Sequence, residues 1–142
     1  MASKAQNTGM RGVYLAAAEM VRTGLIVSPT SRSAFDADIL ATDSTCSVAF
    51  SVQVKTNAKP VGFWLVGEKA TTLKARSHVY VFVNVRDKDG LHEYYIVPSR
   101  TVAAKVKVVE RPASTWYAIY RRDIARYRDR WELVGGRRPA AT

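Results

Sequence analysis

The chain has 142 residues, a 47% apolar and 24% charged composition, and a formal net charge of +10. That length suits one domain with one adequate core, and no apolar run approaches the ~20 residues of a membrane span. A single cysteine, Cys46, excludes an internal disulfide, and two histidines, His78 and His92, are too few for a zinc cluster.

Residues 1–10 are short and polar and are expected to form a flexible leader without a secretory signal, which places the chain in the cytoplasm. Residues 10–22 are alanine-rich and predict a helix, closed by Gly24. Residues 25–27 predict a short buried strand ending at Ser28-Pro29, and 39–41 another. A cluster of turn formers, 42–45, leads into 47–55, which alternates cleanly. Val48, Phe50, Val52 and Val54 share one face, and Gln53 and Lys55 share the other. Two strands joined by a short polar turn should pair antiparallel.

Residues 63–66 form a short apolar segment, and 68–76 predict a helix. The near-continuous apolar run 79–85 suits a central strand covered on both faces. Asp87-Lys88-Asp89-Gly90 predicts a hairpin turn into a strand over 91–97, and a helix follows from Ser99 to about Val109. The run 116–131 is aromatic and arginine-rich; on a helix, Arg122, Arg126 and Arg130 would share one outer face, with Ile124, Tyr127 and Trp131 packed inward. Residues 135–142 are expected to be a tail, leaving one domain over 11–134. This element order predicts an α/β (α+β) fold with a mixed sheet flanked by helices.

The charge is uneven. Residues 99–142 carry 11 Lys/Arg against 4 Asp/Glu, so nearly three-quarters of the net charge lies in the last third of the chain. Such a field attracts phosphate polymers, and Arg121, Arg122, Arg126 and Arg130 are candidate contacts to a nucleic-acid backbone. A solvated basic surface is the plainer alternative.

The chemistry concentrates earlier. Asp36 and Asp38 are two apart, and in an extended segment they would project to one side. Asp38 opens the strand that pairs with 47–55, which brings a carboxylate near Gln53 and Lys55 across the hairpin. A carboxylate can hold a hard divalent cation, Gln53 and the Val54 carbonyl can add neutral oxygens, and Lys55 can neutralise charge on a phosphate. For Asp36 a turn or capping role is the stronger reading. Cys46 is expected to be a small buried residue, and the histidines surface or hydrogen-bonded side chains.

The stretch Phe35-Asp36-Ala37-Asp38-Ile39-Leu40-Ala41, followed by Ser51-Val52-Gln53-Val54-Lys55-Thr56, resembles the PD-(D/E)XK nuclease superfamily. It is most similar to small bacterial members in which glutamine replaces the second acidic ligand. The likeness spans roughly residues 10–133 and includes the leading helix, where Glu19 matches the glutamate that approaches the metal. The resemblance implies a restriction-endonuclease-like core and a DNA endonuclease dependent on Mg²⁺ or Mn²⁺, with no small-molecule cofactor. It makes Asp38, Gln53 and Lys55 catalytic, with Asp38, Gln53, the Val54 carbonyl and Glu19 around the metal. DNA is the expected partner, and a homodimer is a further expectation. Gln53 removes one negative charge and should weaken cation affinity. The alternatives are an inactive module of the same fold that binds nucleic acid or protein, and a basic RNA-associated protein of unrelated fold.

Overall fold

The computed structural model describes residues 3–31 and 36–136. Phe35 and the tail beyond residue 136 lie outside the described residues, as does the very start of the chain. Helix α1 (Lys4–Arg22) begins six residues earlier than the alanine run suggests. Ser3 is its N-cap: its hydroxyl accepts from the Gln6 N–H while the Gln6 side chain accepts from the Ser3 N–H. This reciprocal pair satisfies two otherwise orphaned donors and draws most of the supposed leader into the helix.

Strands β1 (Ile26–Pro29), β2 (Ile39–Thr42), β3 (Ala49–Asn57), β5 (His78–Asn84) and β6 (Glu93–Pro98) form one mixed sheet in the order β1-β2-β3-β5-β6. Only β3 and β5 are parallel, and the crossover between them carries β4 (Phe63–Val66) and a 3-10 turn at Glu68–Thr71. All seven residues of β5 are buried, as its unbroken apolar pattern predicts for a strand covered on both sides.

The two coverings differ. Val79, Val81 and Val83 of β5 join Val52 and Val54 of β3 against Val13, Ala16 and Met20 of α1. Tyr80 and Phe82 face the opposite way, packing with Trp64, Val97, Val102 and Ile119. Each fully buried side chain of this size contributes about 1.5–3 kcal/mol, so either layer alone outweighs any single ion pair of the surface. Trp64 also donates its indole N–H to the Val83 carbonyl at 2.9 Å, which satisfies the one polar atom of a buried ring.

The second layer departs from the sequence reading. Helix α2 (Ser99–Lys105) stops at Lys105, and Val106–Val109, expected to extend it, instead enters strand β7 (Lys107–Glu110). With β8 (Thr115–Tyr120) and β4 it makes a three-stranded antiparallel sheet, order β4-β8-β7. The predicted helix over 68–76 is only the Glu68–Thr71 turn. Nor is the C-terminal run a helix: it folds into 3-10 turns at Arg121–Asp123, Ala125–Tyr127 and Trp131–Val134, with Asp129 at φ 55°. Arg122, Arg126 and Arg130 therefore do not form an i, i+4 row. The inward residues survive, since Ile124 and Trp131 are fully buried. Cys46 is exposed rather than buried, at a turn position with φ 57°. No helix among the described residues is long and apolar enough to cross a membrane.

Candidate active site at the opening between β2 and β3

β3 outruns β2. Ile39 pairs with Val52, and beyond that point β2 has ended while β3 continues through Val54 and Lys55. The Asp38 N–H still reaches the Val52 carbonyl at 2.8 Å, and its carboxylate accepts the Val54 N–H at 2.7 Å. A side-chain oxygen thus takes the place of the missing strand partner, which fixes Asp38 against the backbone of β3.

On the α1 side a cleft of about 280 Å³ opens between Asp38, Val54 and the first half of the helix, where Gln6, Met10 and Val13 line it. Gly12 sets how closely α1 can lie on β3: a methyl group there would stand 1.7 Å from Thr56 Oγ1. Gln53 and Lys55 lie on the strand face opposite Val54. They are register partners of Tyr80 and Phe82 on parallel β5, and so share the face of the second core layer. Both are partly exposed, and Lys55 borders a separate groove with Phe63 and Leu65. The hairpin brings Asp38 and Val54 into contact, with Gln53 and Lys55 as the flanking residues of that strand.

One expectation changes here. Glu19 does not line the Asp38 cleft; it pairs with Arg22 at 2.8 Å, and its charge acts on Tyr94 and Asp129 at the far flank of the helix. Asp36 takes the turn role that was the stronger reading: it sits at φ 54° in a turn and binds Lys69 at 2.6 Å, so it does not project in parallel with Asp38.

Other residues gather near the opening. His78 is buried, with Nδ1 2.7 Å from the Ser51 hydroxyl and its ring edge-on to Tyr80. Burial lowers its pKa, while the charges of Asp36 and Asp38 pull it back up. Burial also pushes the Tyr80 phenol up to about 12, with Asp36 adding to the shift. Gln6 lines the cleft because the Ser3-x-x-Gln6 capping pair, legible in the sequence, starts the helix at Lys4, ahead of the alanine run.

The C-terminal arginines are spread over several partners. Arg121 lies 3.6 Å from buried Glu93, Arg122 and Arg126 stand over the rings of Tyr120 and Tyr127, and Arg130 pairs with Glu132.

No family model matches the chain, and no curated protein matches it. Solved structures do. The Holliday junction resolvase Hjc of Archaeoglobus fulgidus superposes with a TM-score of 0.60 at 13% identity, covering 91% of this chain and 97% of that one. The bacterial homing endonuclease I-Ssp6803I superposes with a TM-score of 0.59 at 16% identity, covering 94% and 92%. Both are restriction-endonuclease-like nucleases. At such low identity it is the fold that is shared, over nearly the whole of each chain: this protein has the restriction-endonuclease-like fold.

Proposed function

We propose that the chain is a divalent-metal-dependent DNA endonuclease whose site is the opening between β2 and β3. The observation that carries this reading is the Asp38 carboxylate bonded to the Val54 N–H, on the strand that also bears Gln53 and Lys55. The oxygen-only donor set suits Mg²⁺ or Mn²⁺, since such cations are commonly held by one or two carboxylates together with waters and substrate phosphates. Asp38, the Val54 carbonyl and Gln53 would hold the cation, which when bound polarises the phosphate and acidifies water. Asp38 fixes the strand end, and Lys55 places a cationic ammonium for the charge that grows on the phosphate during hydrolysis. Arg121, Arg122, Arg126 and Arg130 supply general attraction for the backbone. Cutting both strands of a duplex would call on a homodimer, which light scattering tests.

A second reading, a binding module without cleavage, draws on the sparse donor set. Among the described residues no three His, Cys, Asp or Glu side chains cluster as a metal site, and Glu19 points elsewhere. The deciding experiment incubates purified protein with supercoiled plasmid, single-stranded and branched DNA in Mg²⁺ or Mn²⁺, beside Lys55→Ala. Metal-dependent cutting lost in the variant supports the enzyme. Binding without cutting on every substrate supports the module.

A further inference from the structure

The three-stranded sheet turns one face to the core and the other to solvent. Alternation along β8 sends Tyr117 and Ile119 toward the second core layer and Trp116 and Tyr120 outward, with Ala118 between these two buried beneath its neighbours and Tyr120 partly exposed. The register sets Phe63 beside Tyr120 and Leu65 beside Ala118. Phe63, Leu65 and Trp116 are 36%, 49% and 40% exposed, so the outer face carries neighbouring exposed rings and apolar side chains. Scattered exposed apolar residues need no explanation, but neighbouring ones on a single sheet face do.

This face is also cationic. Arg122 stands 4.8 Å from the centroid of Tyr120, Arg111 stands 4.5 Å from that of Trp116, and Lys107 is the register partner of Ala118. It reaches Lys55, because a groove of about 410 Å³ is lined by Lys55 together with Phe63 and Leu65. From Tyr120 to Trp116 the platform runs about 14 Å along β8.

We propose that this outer face is a stacking platform for unpaired bases of a DNA strand that leads to Lys55, so that the substrate is single-stranded or branched DNA rather than continuous duplex. Exposed rings, and the guanidinium planes that stand over two of them, accept the faces of bases of any sequence, with the cations drawn to the phosphates. A duplex keeps those base faces stacked inside and offers only edges and phosphates. A second copy of the chain fits less well, since pressing two such faces together would bring Lys107, Arg111 and Arg122 against like charges. The direction of the strand toward Lys55 rests on the nuclease reading; the platform itself does not.

The test is a metal-free titration with labelled oligo-dT of roughly 20 nucleotides and a duplex of equal length, read by anisotropy and tryptophan emission. Trp64 and Trp131 are 1% and 0% exposed, so quenching by bases reports Trp116. Oligo-dT should quench the wild type, and Trp116→Phe should remove the quenching while keeping affinity within about threefold. Trp116→Ala and Phe63→Ala should each weaken oligo-dT about tenfold and duplex less than about twofold. Unchanged oligo-dT affinity, or equal losses on duplex, overturns the platform. So does a fall in light-scattering mass with DNA affinity intact, which would assign the face to a second copy. Failure of the nuclease reading looks different: oligo-dT binding and quenching persist while no DNA is cut.

Discussion

Gly12→Ala offers a test of the α1–β3 contact in which the sign alone is decisive. In an exposed helix interior, replacing glycine by alanine stabilises by about 1 kcal/mol. Here the new methyl would stand 1.7, 2.7 and 2.8 Å from Oγ1, Cβ and Cγ2 of Thr56. Thr56 is β-branched and anchored in a central strand, so it cannot swing aside as the tip of a long side chain would. Restoring an ordinary 3.4 Å contact with Oγ1 needs the helix to retreat by about 1.7 Å along that line, whereas a gap of only about 1 Å already forfeits up to half of a dispersion contact. Val13, Ala16 and Met20 would all loosen against the sheet. Overpacking of this kind costs about 1–3 kcal/mol. Because the clash is severe, the top of that range applies, and subtracting the propensity gain leaves a net loss of about 2 kcal/mol. Urea unfolding followed by circular dichroism should show a midpoint lower by roughly 1 M at unchanged slope, and a Tm lower by roughly 8 °C. Thr56→Ala removes two of the three clashing atoms, and its hydroxyl is buried without a hydrogen-bond partner. Adding that change to Gly12→Ala should recover at least about 1 kcal/mol. A Gly12→Ala protein as stable as the wild type, or more so, would refute the close approach.

Four further outcomes are expected. Lys55→Ala should abolish plasmid cutting by more than about a hundredfold while leaving the melting curve within about 0.5 kcal/mol of wild type, because Lys55 is at the sheet surface. Asp38→Ala should abolish the heat of Mn²⁺ binding in calorimetry carried out with single-stranded DNA present, and should cost about 1–2 kcal/mol of stability, since the Val54 N–H loses its acceptor. Trp64→Phe should lower stability by about 2 kcal/mol in urea unfolding, through the lost bond to Val83 and the thinner ring against Phe82 and Tyr95. For Glu93, burial raises the carboxyl pKa, but hydrogen bonds from Arg86 and Asn84 and the charge of Arg128 outweigh it, leaving the folded value below the ordinary 4.5. Its contribution is therefore complete above about pH 4.5 and drains away as pH falls through the lower folded value. Glu93→Gln should flatten that part of the stability profile, and an unchanged acid limb would count against it.

Much of the first layer could be read from side-chain spacing. Val52 and Val54 are buried as their alternation requires, and the run 79–85 is the central strand that its lack of polar residues implies. The hairpin that carries Asp38 toward Val54 followed from a polar turn between two apolar segments. The second layer was less legible for a physical reason. Val106, Val108 and Val109 are compatible with a helix extension or a short strand, and only pairing with β8, a non-local contact, decides between them. The segment 121–134 has helical spacing, but Tyr95 bridges Arg128 and the Asp129 N–H binds the Tyr94 carbonyl, so tertiary anchoring overrides local preference. Glu19 was placed by its position in a helix, yet which flank of a helix meets a given cleft depends on how that helix is rotated over the sheet. That rotation is set by Gly12 against Thr56.

The bond between Asp38 and the Val54 N–H has a consequence for observing the protein at work. One backbone proton is protected from solvent exchange by a side chain rather than by a neighbouring strand. Whatever competes for that carboxylate, a cation or a protonation event, changes the exchange rate of this one amide while those of Val52 and Val81, held within the sheet, stay slow. A single resonance thus serves as a built-in gauge of the occupancy of the site, independent of whether any phosphodiester is broken.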